Sequence, residues 1–426
     1  MAKALLVRLN PSRRSVAGAV GLFVVMGTAG CRDEAWDAPD LRAPPRAVTR
    51  ALGDTAFRQS EDGASRAPDI NSPRSLRPCC AFGTDLGVEL KGVAVPGFAL
   101  ANVVGPADLG PHRYDNGFIS IDRKDRRGWI DNEKNGIVYT CRGGFIDVAH
   151  VRDNADLTLF LTAAISRGMD ERFSISLPPQ GAEIRVVGGP VDSDRLGRFG
   201  RRALSVEAAQ WAAFQLSIWH EIATWYGFAA LESWPEKVSA FSPEDLYSNL
   251  LGTKVAGGII REGGANSGQE YERGMDVWIQ RVLERLEALP QEGGRAATKF
   301  VDGAWWDSTK RLPDWDLVSR RYMALGPELE PWLISMASAK EGKAPPVAEC
   351  VGETELLALR VPAGFEGRRF DDVLAVEFTV DEKLVANGFP LPNPNRPVVT
   401  QADFPAIVAA IREEMTERLG DDVDRP

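Results

Sequence analysis

SIWHEIATWYG, residues 217–227, is the stretch on which the reading of this chain turns. Trp211, Phe214, Ile218, Ile222 and Trp225 recur at spacings of three and four, the period of one helix face. Leu216, Trp219 and Ala223 add apolar surface beside that stripe, so the helix should be buried on most sides. Ser205 has the chemistry of an N-cap and Gly227 that of a terminator, which predicts a helix from Ser205 to about Tyr226. His220 and Glu221 fall inside this apolar surface. Leaving them there without partners would cost on the order of several kcal/mol, so polar groups from elsewhere must meet them. The opening resembles the zinc-protease pattern H-E-x-x-H, but Thr224 stands where the second histidine should be. Any further ligand has to come from another segment.

The chain has three histidines, His112, His150 and His220. His150 lies in GGFIDVAHVRDNADLT (143–158), where Asp147 is placed to cap a helix running from about Val148 to Ser166. Asp147, His150 and then Asp153 or Asn154 follow at spacings that stack them on one polar face. A carboxylate one turn from an imidazole fixes its tautomer and raises its basicity, as metal sites and catalytic dyads both require. The expected site therefore joins two helices. His150 and His220 would be ligands to a divalent metal such as zinc, and a carboxylate from Asp147, Asp153 or Glu221 would complete the set. Glu221 is either that ligand or the general base. In the metal-free version one histidine is the base, oriented by a carboxylate, and His150, His220 and Glu221 carry the catalysis.

Around these helices run short strand-like segments: Phe98–Val104, Gly117–Ile121, Gly136–Thr140, Glu183–Val187, Leu356–Val361 and Val373–Val380. Ser242-Pro243-Glu244-Asp245 reads as a helix start, with acids at the positive end. Further helices are expected at Tyr271–Leu289, in the Trp305–Met323 region and at Ala402–Leu419. Gly257-Gly258 and Gly263-Gly264 lack the Lys-Ser/Thr of a phosphate loop and read as turns. The pattern predicts an α+β fold, helix-rich with a few short strands. The expected organisation is a main domain over 75–345 and a C-terminal strand–helix extension over 346–426 packed on it.

Lys3, Arg8, Arg13 and Arg14 precede an apolar run, Val16–Met26, that closes on Thr28-Ala29-Gly30-Cys31. That is the layout of an export signal over residues 1–30, with small residues before a cysteine as in a bacterial lipobox. Lipidated Cys31 would anchor the chain to a membrane. Arg32 in place of aspartate favours the outer membrane. Residues 31–74, rich in Pro, Arg, Asp, Ser and Ala, read as a disordered tether. Losing residues 1–30 removes four positive charges and no negative ones, taking the formal charge from −10 to −14. An acidic chain without a basic run is no nucleic-acid binder. In an oxidising envelope Cys79, Cys80, Cys141 and Cys350 are expected as bridges. A bond between adjacent cysteines is strained, so Cys79 and Cys80 would each pair with Cys141 or Cys350.

RPCCAFGTDL (77–86), CRGGFIDVAHVRDNADLT (141–158), SIWHEIATWYGF (217–228) and FSPEDLYSNLLG (241–252) resemble the bacterial domain-of-unknown-function family 4056. The resemblance implies an envelope protein of lipoprotein type and brings no established activity. Two functions stay open on the residues themselves. One is a lipid-anchored hydrolase acting on amide or ester bonds of an envelope polymer, peptide or lipid. The other is a non-catalytic envelope lipoprotein that binds a partner or ligand, with the histidines in a structural polar network.

Overall fold

The computed structural model describes residues 43–53, 68–74, 76–77, 81–90, 92–115, 133–230, 235–335, 350, 355–365 and 367–426. The expected export signal, Cys31, the strand Gly117–Ile121, Cys79 and Cys80 lie outside these residues.

The fold is α+β. The helices of the described residues are, in chain order, α1 (Pro45–Leu52), α2 (Val148–Gly168), α3 (Ser193–Phe199), α4 (Arg201–Trp225), α5 (Asp245–Arg261), α6 (Gly268–Arg285), α7 (Gln291–Phe300), α8 (Glu382–Ala386) and α9 (Phe404–Leu419). α4 is the helix of the opening stretch, and it is buried on nearly every side. It starts four residues before Ser205, whose hydroxyl bonds the Arg202 carbonyl inside the helix instead of capping it. Gly227 ends it at φ +95°, a conformation that costs glycine little.

α2 packs against both α4 and α5, and this three-helix arrangement forms the centre of the core. Gly252 of α5 lies on the backbone of α2, where a Cβ would come within 2.3 Å of the Val151 carbonyl oxygen. Gly257-Gly258, expected in a turn, lie inside α5. There a Cβ would meet Gln210 and Trp278 at 2.3 Å, so these glycines serve close helix packing rather than chain reversal. Gly263-Gly264 do follow the helix end.

A four-stranded antiparallel sheet covers α4. Its order is Val398–Thr400, Leu374–Val380, Ala182–Gly188, Phe173–Leu177. Ala182, Ile184 and Val186 alternate with exposed or half-buried residues, as do Leu374, Val376, Phe378 and Val380 on the neighbouring strand. The buried face meets α4 through Trp219, stacked on Phe378 at 4.3 Å between ring centroids. The C-terminal segment thus supplies a central strand. A smaller apolar cluster gathers around Phe82, Phe145, Trp305 and Trp306.

Three further expectations are corrected. Residues 45–52, placed in a disordered tether, form α1, because Ala47, Val48, Ala51 and Leu52 make a one-sided stripe that is buried in the main core. Residues 305–323 are not an α-helix. They form turns, the two-residue strand Arg311–Leu312 and a 3₁₀ turn at Trp315–Leu317, since Pro313 interrupts the helical ladder. Cys141 is bonded to Cys350 and so takes neither Cys79 nor Cys80. The C-terminal segment is brought to Cys141 by backbone pairing, with the Leu357 N–H donating to the Arg142 carbonyl.

Candidate functional site

The strand Gly144–Asp147 runs directly into α2. Asp147 is the N-cap, its Oδ1 accepting from the Ala149 N–H at 2.7 Å, and its own N–H donates to Ser248 Oγ of α5. That cap places His150 on the first turn of α2, facing the first turn of α5. His150 Nδ1 lies 3.3 Å from Asp245 Oδ1, while Asp245 Oδ2 accepts the Ser242 N–H at 2.6 Å. Asp245 is the acid at the start of α5, fully buried.

Glu221 comes to the same place from α4. Its Oε2 accepts the Phe241 N–H at 2.9 Å and its Oε1 faces Asn249 Nδ2 at 3.4 Å. Phe241 holds φ +56°, unusual for a bulky side chain, so the turn before α5 is bent against its preference around this carboxylate. Asn249 in turn accepts from Asn154 Nδ2 at 2.6 Å, tying α5 to α2. His150, Glu221 and Asp245 are 5%, 1% and 0% exposed. Each offers one ligand-type atom, and these three atoms lie within 4.8 Å of one another.

His220 stands one residue away and differently. Its ring lies 6.4 Å from that of His150, centroid to centroid, at 89°. Nδ1 is 3.0 Å from Gln180 Oε1, and the Trp219 indole N–H donates to the Gln180 carbonyl. Gln180 sits in the turn between two strands of the sheet, so the sheet clamps the orientation of this ring. With the amide oxygen facing the ring, Nδ1 carries the proton and Nε2 keeps its lone pair. Burial holds the His220 pKa below its ordinary 6.5, with His150 pushing the same way and Glu221 opposing. The imidazole is therefore held in its neutral form.

The site is electrostatically tense. Burial raises the carboxyl pKa of both Asp245 and Glu244 well above the ordinary range, and Asp147 and Glu221 add their negative charge. Among the described residues, no other residue donates a hydrogen bond to either Glu244 oxygen. The permanent cation behind them is Arg321, fully buried, whose guanidinium donates to the carbonyls of Val238, Ala240 and Trp315. One arginine is shared among several acids, so the remaining negative charge calls for protons or a further cation.

The residues expected at the site divide. His150, His220 and Glu221 are brought together. Asp147 is at the spot but is spent as a helix cap. Asp153 belongs to another group: Arg77 reaches it at 2.7 Å and also holds Asp156 and Glu133 at 3.0 Å, with His112 Nε2 2.9 Å from Asp156. Burial pushes the Asp153 carboxyl up to about 7, with Arg77 opposing and Asp156 adding to the rise. Asp245 takes the place expected for Asp147 or Asp153. Acids at a helix start are usual, which hid it; its place in the word Ser242-Pro243-Glu244-Asp245, read as a helix start, was the available signal.

A cavity of about 320 Å³ opens onto the site. His150, His220, Asn154 and Asn249 form its polar floor, and Leu157, Leu177, Ile184, Leu216 and Phe228 its apolar wall. An imidazole and two carboxylates at this spacing could hold a divalent cation. Ligands on ~2.1 Å bonds at a tetrahedral angle would stand ~3.4 Å apart, so the widest pair, within 4.8 Å here, would have to close on the ion. The fit also meets the surplus of negative charge around Asp245 and Glu244.

A family model described as "Protein of unknown function (DUF4056)" matches residues 67–335, and the chain belongs to that family. No curated protein and no solved structure matches the chain.

Proposed function

We propose that this member of the DUF4056 family is an exported, lipid-anchored hydrolase of the cell envelope, acting on an amide or ester bond at the floor of the cavity. The carrying observation is the buried convergence of His150, Glu221 and Asp245 from three helices, within reach of one cation and beside an open cavity. When bound there, a divalent cation such as zinc would polarise the scissile carbonyl and acidify a water molecule. His220 faces the same cavity with Nε2 unprotonated. It accepts the proton of the attacking water and later returns it to the leaving oxygen or nitrogen. Gln180 keeps the ring in the tautomer this requires. Glu221 acts as a ligand, because both its oxygens point into the buried network. The anchor rests on the Cys31 sequence pattern, and the outer membrane on Arg32.

The test is elemental analysis of purified protein together with hydrolysis of acyl ester and acyl amide substrates. About one equivalent of a divalent metal per chain, lost in Asp245→Asn along with hydrolysis, is the expected result. Protein free of metal and inert after metal addition would overturn the reading. It would favour a second one, a non-catalytic envelope lipoprotein that binds a partner. That alternative draws on one observation: Glu221 and Asp245 each already accept a backbone N–H, so the network is hydrogen-bonded as it stands.

A further inference from the structure

We propose that the cavity takes an anionic amphiphile: an apolar acyl chain laid along Leu216, Ile184 and Phe228, with a carboxylate or phosphate held by Arg74. The inference rests on the cavity being the substrate site of the hydrolase and names the class of substrate.

The cavity is chemically two-sided. Leu216 and Ile184 are buried on its α4 and sheet sides, Leu157, Leu177 and Phe228 are half-buried, and none presents a polar atom from its side chain. Such a wall repays occupation by apolar surface at roughly 25 cal/mol per Å². Among the described residues, the charged ones lining the cavity are Arg74, Arg77, Asp153 and Glu236. Arg77 is committed to Asp153, Asp156 and Glu133. Glu236 turns its carboxylate onto the Ala230 N–H. Arg74 is different: its backbone N–H is held by Asp115, fixing where it sits, and its guanidinium is exposed with no ion pair among the described residues. It is the lining cation left for a ligand, and a guanidinium matches a carboxylate or a phosphate in geometry.

The same cavity is lined by His150 and His220. A ligand with its chain on the wall and its head group at Arg74 brings its acyl carbonyl to these histidines. Hydrolysis there breaks the acyl C–O or C–N bond. Water supplies hydroxyl to the acyl carbon and a proton to the leaving group, releasing an apolar acid and an anion-bearing alcohol or amine.

The test is calorimetric binding to the full chain stripped of metal with chelator, so that it does not depend on the cation or on turnover. N-Decanoylglycine, decyl phosphate, uncharged N-decanoylglycinamide and N-acetylglycine are the probes. Saturable binding of one N-decanoylglycine or decyl phosphate per chain is expected, with the tighter of the two identifying the head group. The glycinamide and N-acetylglycine should each bind at least about fivefold more weakly, the scale of one partly screened ion pair or of a lost apolar limb. Arg74→Glu, at an exposed position, should weaken the anionic probes by about fivefold or more and leave the glycinamide unchanged. Equal binding of charged and uncharged probes, no effect of Arg74→Glu, or no saturable binding would overturn the proposal. Metal uptake and hydrolysis are read separately, so either idea can fail alone.

Discussion

His150 and His220 meet edge to face, 6.4 Å between ring centroids, yet among the described residues only His150 has a carboxylate at its nitrogen: Asp245, 3.3 Å away. The two histidines are therefore not equivalent. His150→Ala, Glu221→Gln and Asp245→Asn should each abolish uptake of a divalent cation measured by elemental analysis. His220→Ala should retain the cation and lose hydrolysis by about 10²-fold or more, the contribution typical of a general base. Loss of the cation in His220→Ala would show that the ligand set is drawn wrongly.

Arg77 joins Glu133, Asp153 and Asp156 in an almost fully buried group. Arg77→Gln should cost about 3–5 kcal/mol in denaturant unfolding, because it leaves buried carboxylates without their cation. Burial works to raise Glu133 and Asp156. Arg77 outweighs it at Glu133, and His112 with Arg77 does so at Asp156, so both end below their ordinary 4.5 and 3.8. A depressed folded pKa gives stability that is present above the unfolded value and lost as pH falls through the folded one. Wild-type stability should thus decline below about pH 4.5, and the variant should show a shallower decline over the same range. Matching slopes would disprove the assignment.

Gly252 sets the distance between α5 and α2 at the turn above the site. Gly252→Ala should destabilise the fold by about 1–3 kcal/mol, as forced overpacking does. It should also weaken cation retention, because α5 carries Asp245 and α2 carries His150. A variant that melts like the wild type would mean the two helices can slide apart freely.

Cys141–Cys350 closes a loop across 209 residues of sequence and ties the family-matched region to the segment beyond it. Peptide mapping without reduction should recover that pair. Cys350→Ser should lower stability by about 2–5 kcal/mol. Recovery of Cys79 or Cys80 linked to Cys141 would reinstate the pairing expected from the sequence.

Fatty-acid labelling in cells should mark the wild-type chain and leave Cys31→Ser unmarked. Equal labelling of the two proteins would remove the anchor from the proposal.

The sequence by itself determined the elements whose signal is local. α4 was readable because its apolar period runs through more than twenty residues, and α2 because Asp147 caps it and its polar face repeats every turn. The need for partners at His220-Glu221 followed from burial alone. Which groups would answer that need did not. Asp147 and Asp153 share a helix with His150, but one is consumed by the cap and the other by Arg77, which lies 76 residues earlier in sequence. Asp245 replaces them because Gly252 lets α5 lie directly on α2, a close approach with no trace in local periodicity. The same holds for Gln180, in the turn between two paired strands, which reaches His220 only through the packing of that sheet on α4. Local pattern names the side chains that must be satisfied. Long-range packing chooses the partners, because several acids are chemically equal until geometry spends all but one.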